Sequence, residues 1–173
     1  MEYYKITQDL KIKNVINIST SYLEEIESKD NNDENIPMIY QDISSDEDYL
    51  DYINVGRYVL VSDQLKKLFI KYETGIDCKR LFIVDLHKKK RKQYWIINVQ
   101  AIACLSDRTQ LNPDGTIKSI VIDEQFIKAQ AIFSVSSVES KYVKKSVIIN
   151  LDLAESILRR NIIGICYEKV ACE

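Results

Sequence analysis

The chain has 173 residues, 46% of them hydrophobic, and a formal charge of only −2. A chain of this length fits one domain and buries roughly 70% of its unfolded surface, and so small a net charge creates no field that would by itself gather nucleic acid or an anionic membrane. No apolar run approaches the ~20 residues of a membrane-spanning helix, and "MEYYKITQDLKIK" lacks the charged, apolar, small-residue order of a secretory signal.

A cytoplasmic protein is therefore expected. Its four cysteines (Cys78, Cys104, Cys166, Cys172) form no C-x-x-C pair and read as reduced, mostly buried thiols.

Residues 24–51 hold eleven acidic residues against one basic residue, Lys29, so the N-terminal part, 1–47, reads as an acidic lead into an α+β core over 48–173, within one domain over 1–173. "SKDNNDEN" has no periodic apolar face and reads as a loop. "IPMIYQDI" reads as a short strand, with Pro37 near its start where a missing N–H does least harm. "SSDEDYLDY" places Ser45 as a cap with acids in the following turn, which favours a short helix.

Two longer stretches repeat one plan. In the first, Val59–Val61 is a strand, Ser62 the helix cap, and Leu65, Leu68, Phe69 and Tyr72 one helical face, with Gly75 ending the helix in a left-handed conformation. In the second, Asn150 is the cap, Ala154, Ile157 and Leu158 make the face, and Gly164 ends it. Between these units "KRLFIVDL", "QYWIINVQAIA", "TIKSIVID" and "FIKAQAIFSV" read as strands, and "LNPDGT" as a type I turn. The expected fold is α+β, a largely antiparallel twisted sheet carrying at least two helices and two strand–helix–Gly–strand units.

The four glycines are all used by turns and helix ends, so no phosphate-cradling loop is left. The single histidine, His87, excludes two-histidine metal sites and falls in a hairpin tip beside "KKKRK". "DNNDEN" lacks the spacing and central glycine of a calcium loop. No catalytic residue, metal site or cofactor is assigned. Asp42, Asp46, Glu47, Asp48 and Asp51, interleaved with Tyr40, Tyr49 and Tyr52, combine negative charge with rigid aromatic area and suit a basic protein partner. The basic run Lys88–Lys92 lies between apolar strands and reads as a charged hairpin loop protecting a sheet edge, with no nucleic-acid recognition signature beside it.

"DYLDYINVGRYVLVSDQLKKLFIKYETGIDCKRLFIV", "KQYWIINVQAI", "AQAIFSV" and "VIINLDLAESILRRNIIGICYEKV" together resemble the immunity proteins of bacterial polymorphic toxin systems. The likeness is to a group first catalogued as a domain of unknown function and typified by a myxobacterial protein. It rests on Val61-Ser62-Asp63-Gln64-Leu65, Gly75, Tyr94 to Asn98, Phe133 and Gly164, and spans about residues 48–170. The resemblance implies a cytoplasmic, non-catalytic protein that binds a cognate toxin domain and blocks it, with no cofactor. Two other readings stay open from the residues alone: a carboxylate- and metal-dependent enzyme, and a nucleic-acid adaptor using Lys88–Lys92. Oligomeric state is left open by the strand edges.

Overall fold

The structure, a computed structural model, describes residues 1–29, 35–43, 49–136 and 145–173. Its strands are β1 (Tyr3–Gln8), β2 (Met38–Gln41), β3 (Tyr52–Val55), β4 (Tyr58–Ser62), β5 (Asp77–Asp85), β6 (Lys90–Asn98), β7 (Gln110–Leu111), β8 (Ile117–Ser119), β9 (Val121–Ile122), β10 (Ile132–Val135), β11 (Ser146–Asn150) and β12 (Ile165–Cys172). The helices are α1 (Thr20–Ser28), α2 (Asp63–Tyr72) and α3 (Leu151–Leu158). The α+β class is as the sequence implies, but the single expected sheet is two. One has the order β2-β5-β6-β4-β3, the other β10-β11-β1-β12-β9, and β7–β8 is a separate ribbon. Each five-stranded sheet is antiparallel except for one edge pair, β2–β5 and β9–β12, which is parallel.

The two repeated stretches explain this arrangement. The Ser62 Oγ accepts from the Leu65 N–H at 3.4 Å and the Asn150 Oδ1 from the Leu153 N–H at 2.9 Å, so each cap satisfies a helix donor that would otherwise be orphaned. β4 and β5 both pair antiparallel with β6; they therefore run parallel with one strand between them, and α2 crosses from one to the other. β11, α3 and β12 do the same around β1. The correspondence extends to register. Tyr94 of β6 lies opposite the cap Ser62 and opposite Leu81, and Tyr3 of β1 lies opposite the cap Asn150 and opposite Val170. β3 flanks β4 as β10 flanks β11, and β2 flanks β5 as β9 flanks β12. The molecule is thus one supersecondary plan built twice, with the second copy borrowing its central strand from the N-terminus. Residues before 48 are accordingly no appendage, because β1 is the middle strand of its sheet.

Several local expectations are corrected. Gly75 does not adopt a left-handed conformation; α2 stops at Glu73, which is extended and donates its N–H to the Phe69 carbonyl at 2.8 Å. Gly164 does have φ +95°, but α3 has already ended at Arg159, and the glycine lies against Leu50. The α3 face is Leu153, Ala154 and Ile157, while Leu158 is 67% exposed. β6 leaves its sheet after Asn98, "TIKSIVID" is broken into β8 and β9, and in "FIKAQAIFSV" only Ile132–Val135 is strand. The helix α1, capped by Ser19, was not anticipated: it buries only Leu23 and Ile26, too short an apolar stripe to stand out. All four cysteines are free, and only Cys104 is buried; burial pushes its thiol up to about 11. "SKDNNDEN" runs largely through residues 30–34, outside the described residues. The helix expected from "SSDEDYLDY" begins on 44–48, also outside them, but its continuation is not helical, since residues 49–51 are irregular and Tyr52 opens β3.

The largest core draws on both sheets and on α2 and α3, joining Ile6, Val61, Phe69, Ile97, Ile149 and Ile157. α1 covers the opposite face of the first sheet through Leu23 and Ile26, against Leu60, Leu81, Ile83 and Tyr94. Polar seams bind the halves together. Gln8 and Asn54 exchange backbone-to-side-chain hydrogen bonds at 3.1 and 2.9 Å, and the Tyr72 hydroxyl on α2 meets the Ser156 hydroxyl on α3.

Candidate functional site

Two residues of the acidic–aromatic patch read from the sequence, Asp51 and Tyr52, lie in the interior rather than on the surface. Asp51 is 7% exposed: its N–H donates to the Ile163 carbonyl at 2.7 Å and its carboxylate accepts from the Ile163 N–H at 2.8 Å. It is a structural clasp between the two halves. Tyr52 is 1% exposed and part of the core. Tyr49 is half-buried, its hydroxyl 3.3 Å from the Asp85 carboxylate. Tyr40 and Asp42 are exposed, while Asp46, Glu47 and Asp48 lie outside the described residues. Ser62, Leu65 and Asn150 hold helices, and Gly75 and Gly164 lie in the connections before β5 and β12.

The basic run is also divided. The hairpin tip is Leu86–Lys89, with His87 exposed, and Asp85 fixes it by accepting from the N–H groups of His87 and Lys88 at 2.9 and 3.0 Å. Those donors, with the Tyr49 hydroxyl, hold the Asp85 carboxyl below the usual carboxylate range. Lys92 turns toward the rings of Tyr49 and Tyr94, at 5.0 and 5.7 Å. The run does not guard an edge, because β6 is the middle strand of its sheet.

A different surface emerges on the other face of that sheet. Register places Arg80 opposite Trp95, Phe82 opposite Gln93, and Met38 opposite Phe82, so these side chains share one face across β2, β5 and β6. α2 covers the β4 end of this face; among the described residues the β2 end is left open. Tyr40 is 61% and Met38 42% exposed, Phe82 and Trp95 are half-buried, and Arg80 and Arg91 are exposed. Arg91 lies over the Phe82 ring at 5.0 Å and Lys66 over the Trp95 ring at 4.2 Å. Asp63, which contacts this group, is committed: it accepts from Trp95 Nε1 at 3.1 Å, Gln93 Nε2 at 2.9 Å and Lys67 Nζ at 2.6 Å. Those donors, Lys67 first, hold its pKa below the usual range. Among the described residues no carboxylate pairs with Arg80 or Arg91.

The sequence reading missed this surface although a signal was present. Both faces of β5 carry large side chains, Leu81 and Ile83 on one and Phe82 and Val84 on the other, more than a sheet covered on one face needs. The second copy of the fold is a useful contrast. At the places of Arg80 and Phe82 it has Lys169 and Ala171, and Lys169 is neutralised by Glu2 at 2.5 Å.

Among the described residues no three His, Cys, Asp or Glu side chains are grouped as metal ligands, and no helix is long and apolar enough to cross a membrane. Comparison with known proteins finds no matching family, no matching curated protein and no matching solved structure.

Proposed function

We infer that the chain is a non-catalytic binding protein that neutralises a cognate bacterial toxin domain by forming a direct complex with it. The observation that carries this reading is the face of β2, β5 and β6, left uncovered among the described residues. Its exposed or half-exposed set of Met38, Tyr40, Phe82, Trp95, Arg80 and Arg91 is drawn from the residue types enriched at protein–protein interfaces. The resemblance of the Ser62–Gly75 and Asn150–Gly164 stretches to immunity proteins supplies the class of partner. The doubled scaffold supplies rigidity, which lowers the entropy lost when such a face is bound.

The test is a rescue. The C-terminal domain of the large protein encoded immediately upstream is expressed in a susceptible host with and without this chain, and survivors are counted. Rescue together with a stable co-purifying complex is expected. Equal killing with and without the chain removes the reading.

A further inference from the structure

We propose that the open end of the β2-β5-β6 face receives an extended acidic segment of a protein partner, which adds to β2 as a further strand and sets carboxylates against Arg80 and Arg91. This rests on the binding-protein reading above and names the surface and the chemistry of the partner.

The sheet edges point to it first. Unpaired strand edges are managed in folded proteins because they recruit further strands. The outer edge of β3 is plugged by the Gln8–Asn54 exchange. β10 is covered by residues 100–102, through Ser134 N–H to the Gln100 carbonyl and Ile102 N–H to the Ser134 carbonyl, at 2.8 and 2.9 Å. β9 is covered by residues 104–106, through Ser106 N–H to the Val121 carbonyl and Asp123 N–H to the Cys104 carbonyl, at 2.9 and 2.8 Å. β2 has no backbone cover of this kind among the described residues, although its last side chain, Gln41, is tied to the Asn17 backbone, accepting from its N–H at 3.3 Å and donating to its carbonyl. The Phe82 and Leu86 N–H groups reach the Pro37 and Gln41 carbonyls, so in parallel pairing the alternate residues Met38 and Tyr40 turn their backbone groups away from β5. Among the described residues the Met38 carbonyl has only the Tyr22 hydroxyl, at 3.4 Å, and the Tyr40 N–H and carbonyl have no partner.

Charge then selects the occupant. On the same face, one and two strands in from this edge, Arg80 and Arg91 are exposed and not paired with a carboxylate among the described residues, and Arg91 leans toward the edge over Phe82, whereas the matching lysine of the second copy, Lys169, is neutralised within the fold. A partner strand that pairs with Tyr40 brings its own alternate side chains over this face. Carboxylates there meet guanidinium groups, which bind them in a two-pronged geometry. A single-stranded nucleic acid fits less well: it does not use strand edges, and of the rings on which bases would stack, Phe82 and Trp95 already carry Arg91 and Lys66.

The probe is a synthetic peptide of alternating Glu and Val, with its Lys and Val counterpart as the charge control and a short thymidylate oligonucleotide as the nucleic-acid arm. Binding is followed by amide hydrogen exchange at Tyr40 and by fluorescence anisotropy. The Glu peptide is expected to slow exchange at Tyr40, and its affinity to fall roughly tenfold or more in Arg80→Glu/Arg91→Glu. Tyr40→Pro should have the same effect, since it removes an outward N–H that β2 itself does not use. Equal protection by both peptides, or by neither, overturns the proposal, as does an oligonucleotide that binds this face while the Glu peptide does not. The upstream domain separates the two levels. If it binds the double-Glu variant as tightly as the parent, the surface is wrong and the binding function stands. If it fails to bind the parent chain, the binding function itself falls.

Discussion

A methyl group added at Gly164 would lie 3.0 Å from the Leu50 side chain on a backbone with φ +95°, whereas at Gly75 its closest neighbour would be 3.9 Å away and the backbone is ordinary. The two glycines occupy matching places in the doubled plan, yet only one is required there. Gly164→Ala should destabilise the protein by about 1–3 kcal/mol, from left-handed strain and overpacking. Gly75→Ala should leave it within about 0.5 kcal/mol of the parent. Denaturant unfolding of the two variants reads the difference directly. Asp85 makes a pH prediction at the same scale. Its pKa is lowered in the folded state, so the stability it contributes is complete above its ordinary value of about 3.9. That stability declines as pH falls below this value, through the lowered native one. Asp63, Glu2, Asp114 and Glu124 are shifted in the same direction. Acid titration of the parent should show a loss of stability beginning near pH 4, and Asp85→Ala should shrink it and speed exchange of the His87 and Lys88 amides.

Among the elements, the caps and the cross-sheet clasp set the order of importance. Ser62→Ala and Asn150→Ala should each cost about 1 kcal/mol, because each strands a helix N–H. The Gln8 and Asn54 side chains act as a reciprocal pair, so their alanine variants should be non-additive by about 0.5 kcal/mol or more in a double-mutant cycle. Simple additivity would mean that the clasp contributes little to joining the sheets. These elements also mark how far the sequence could be read. Helix caps, the α2 face and the 112–115 turn are local, and residue type alone discloses them. Whether a strand belongs to one sheet or another is not local. "MEYYKITQ" reads as an unremarkable start, and its role as a central strand depends on pairing with Asn150 and Val170. Asp51 and Tyr52 look like surface residues in an acidic stretch, and become interior because the Ile163 backbone arrives to occupy the carboxylate. The open face of β2, β5 and β6 was hidden for a similar reason: alternation shows which side chains share a face, but not how far α2 reaches across it.

For the whole molecule, the borrowed central strand has a bearing on how the chain is made. β1 is made before the other strands of its sheet, and its two neighbours, β11 and β12, more than 130 residues later. The strands of the other sheet are confined to residues 38–98 and can meet much earlier in synthesis. Closing the longer loop adds little to the equilibrium cost, since that cost grows only with the logarithm of length, but long-range pairing slows folding. The two termini already meet at Glu124, which binds the Met1 amine at 2.9 Å and donates its N–H to the Glu173 carbonyl at 3.0 Å. A chain rejoined there by a short Gly/Ser linker, and opened instead at the exposed Pro113–Asp114 turn, would turn β12–β1 into an ordinary hairpin while keeping β5–β6 intact. Stopped-flow refolding of that rearranged chain should be faster than that of the parent. Equal rates would place the capture of β1 after the slowest step. A faster rate would mean that the natural order of the strands, by setting the central one far ahead of both its neighbours, leaves the second sheet unsealed until β11 and β12 have found β1.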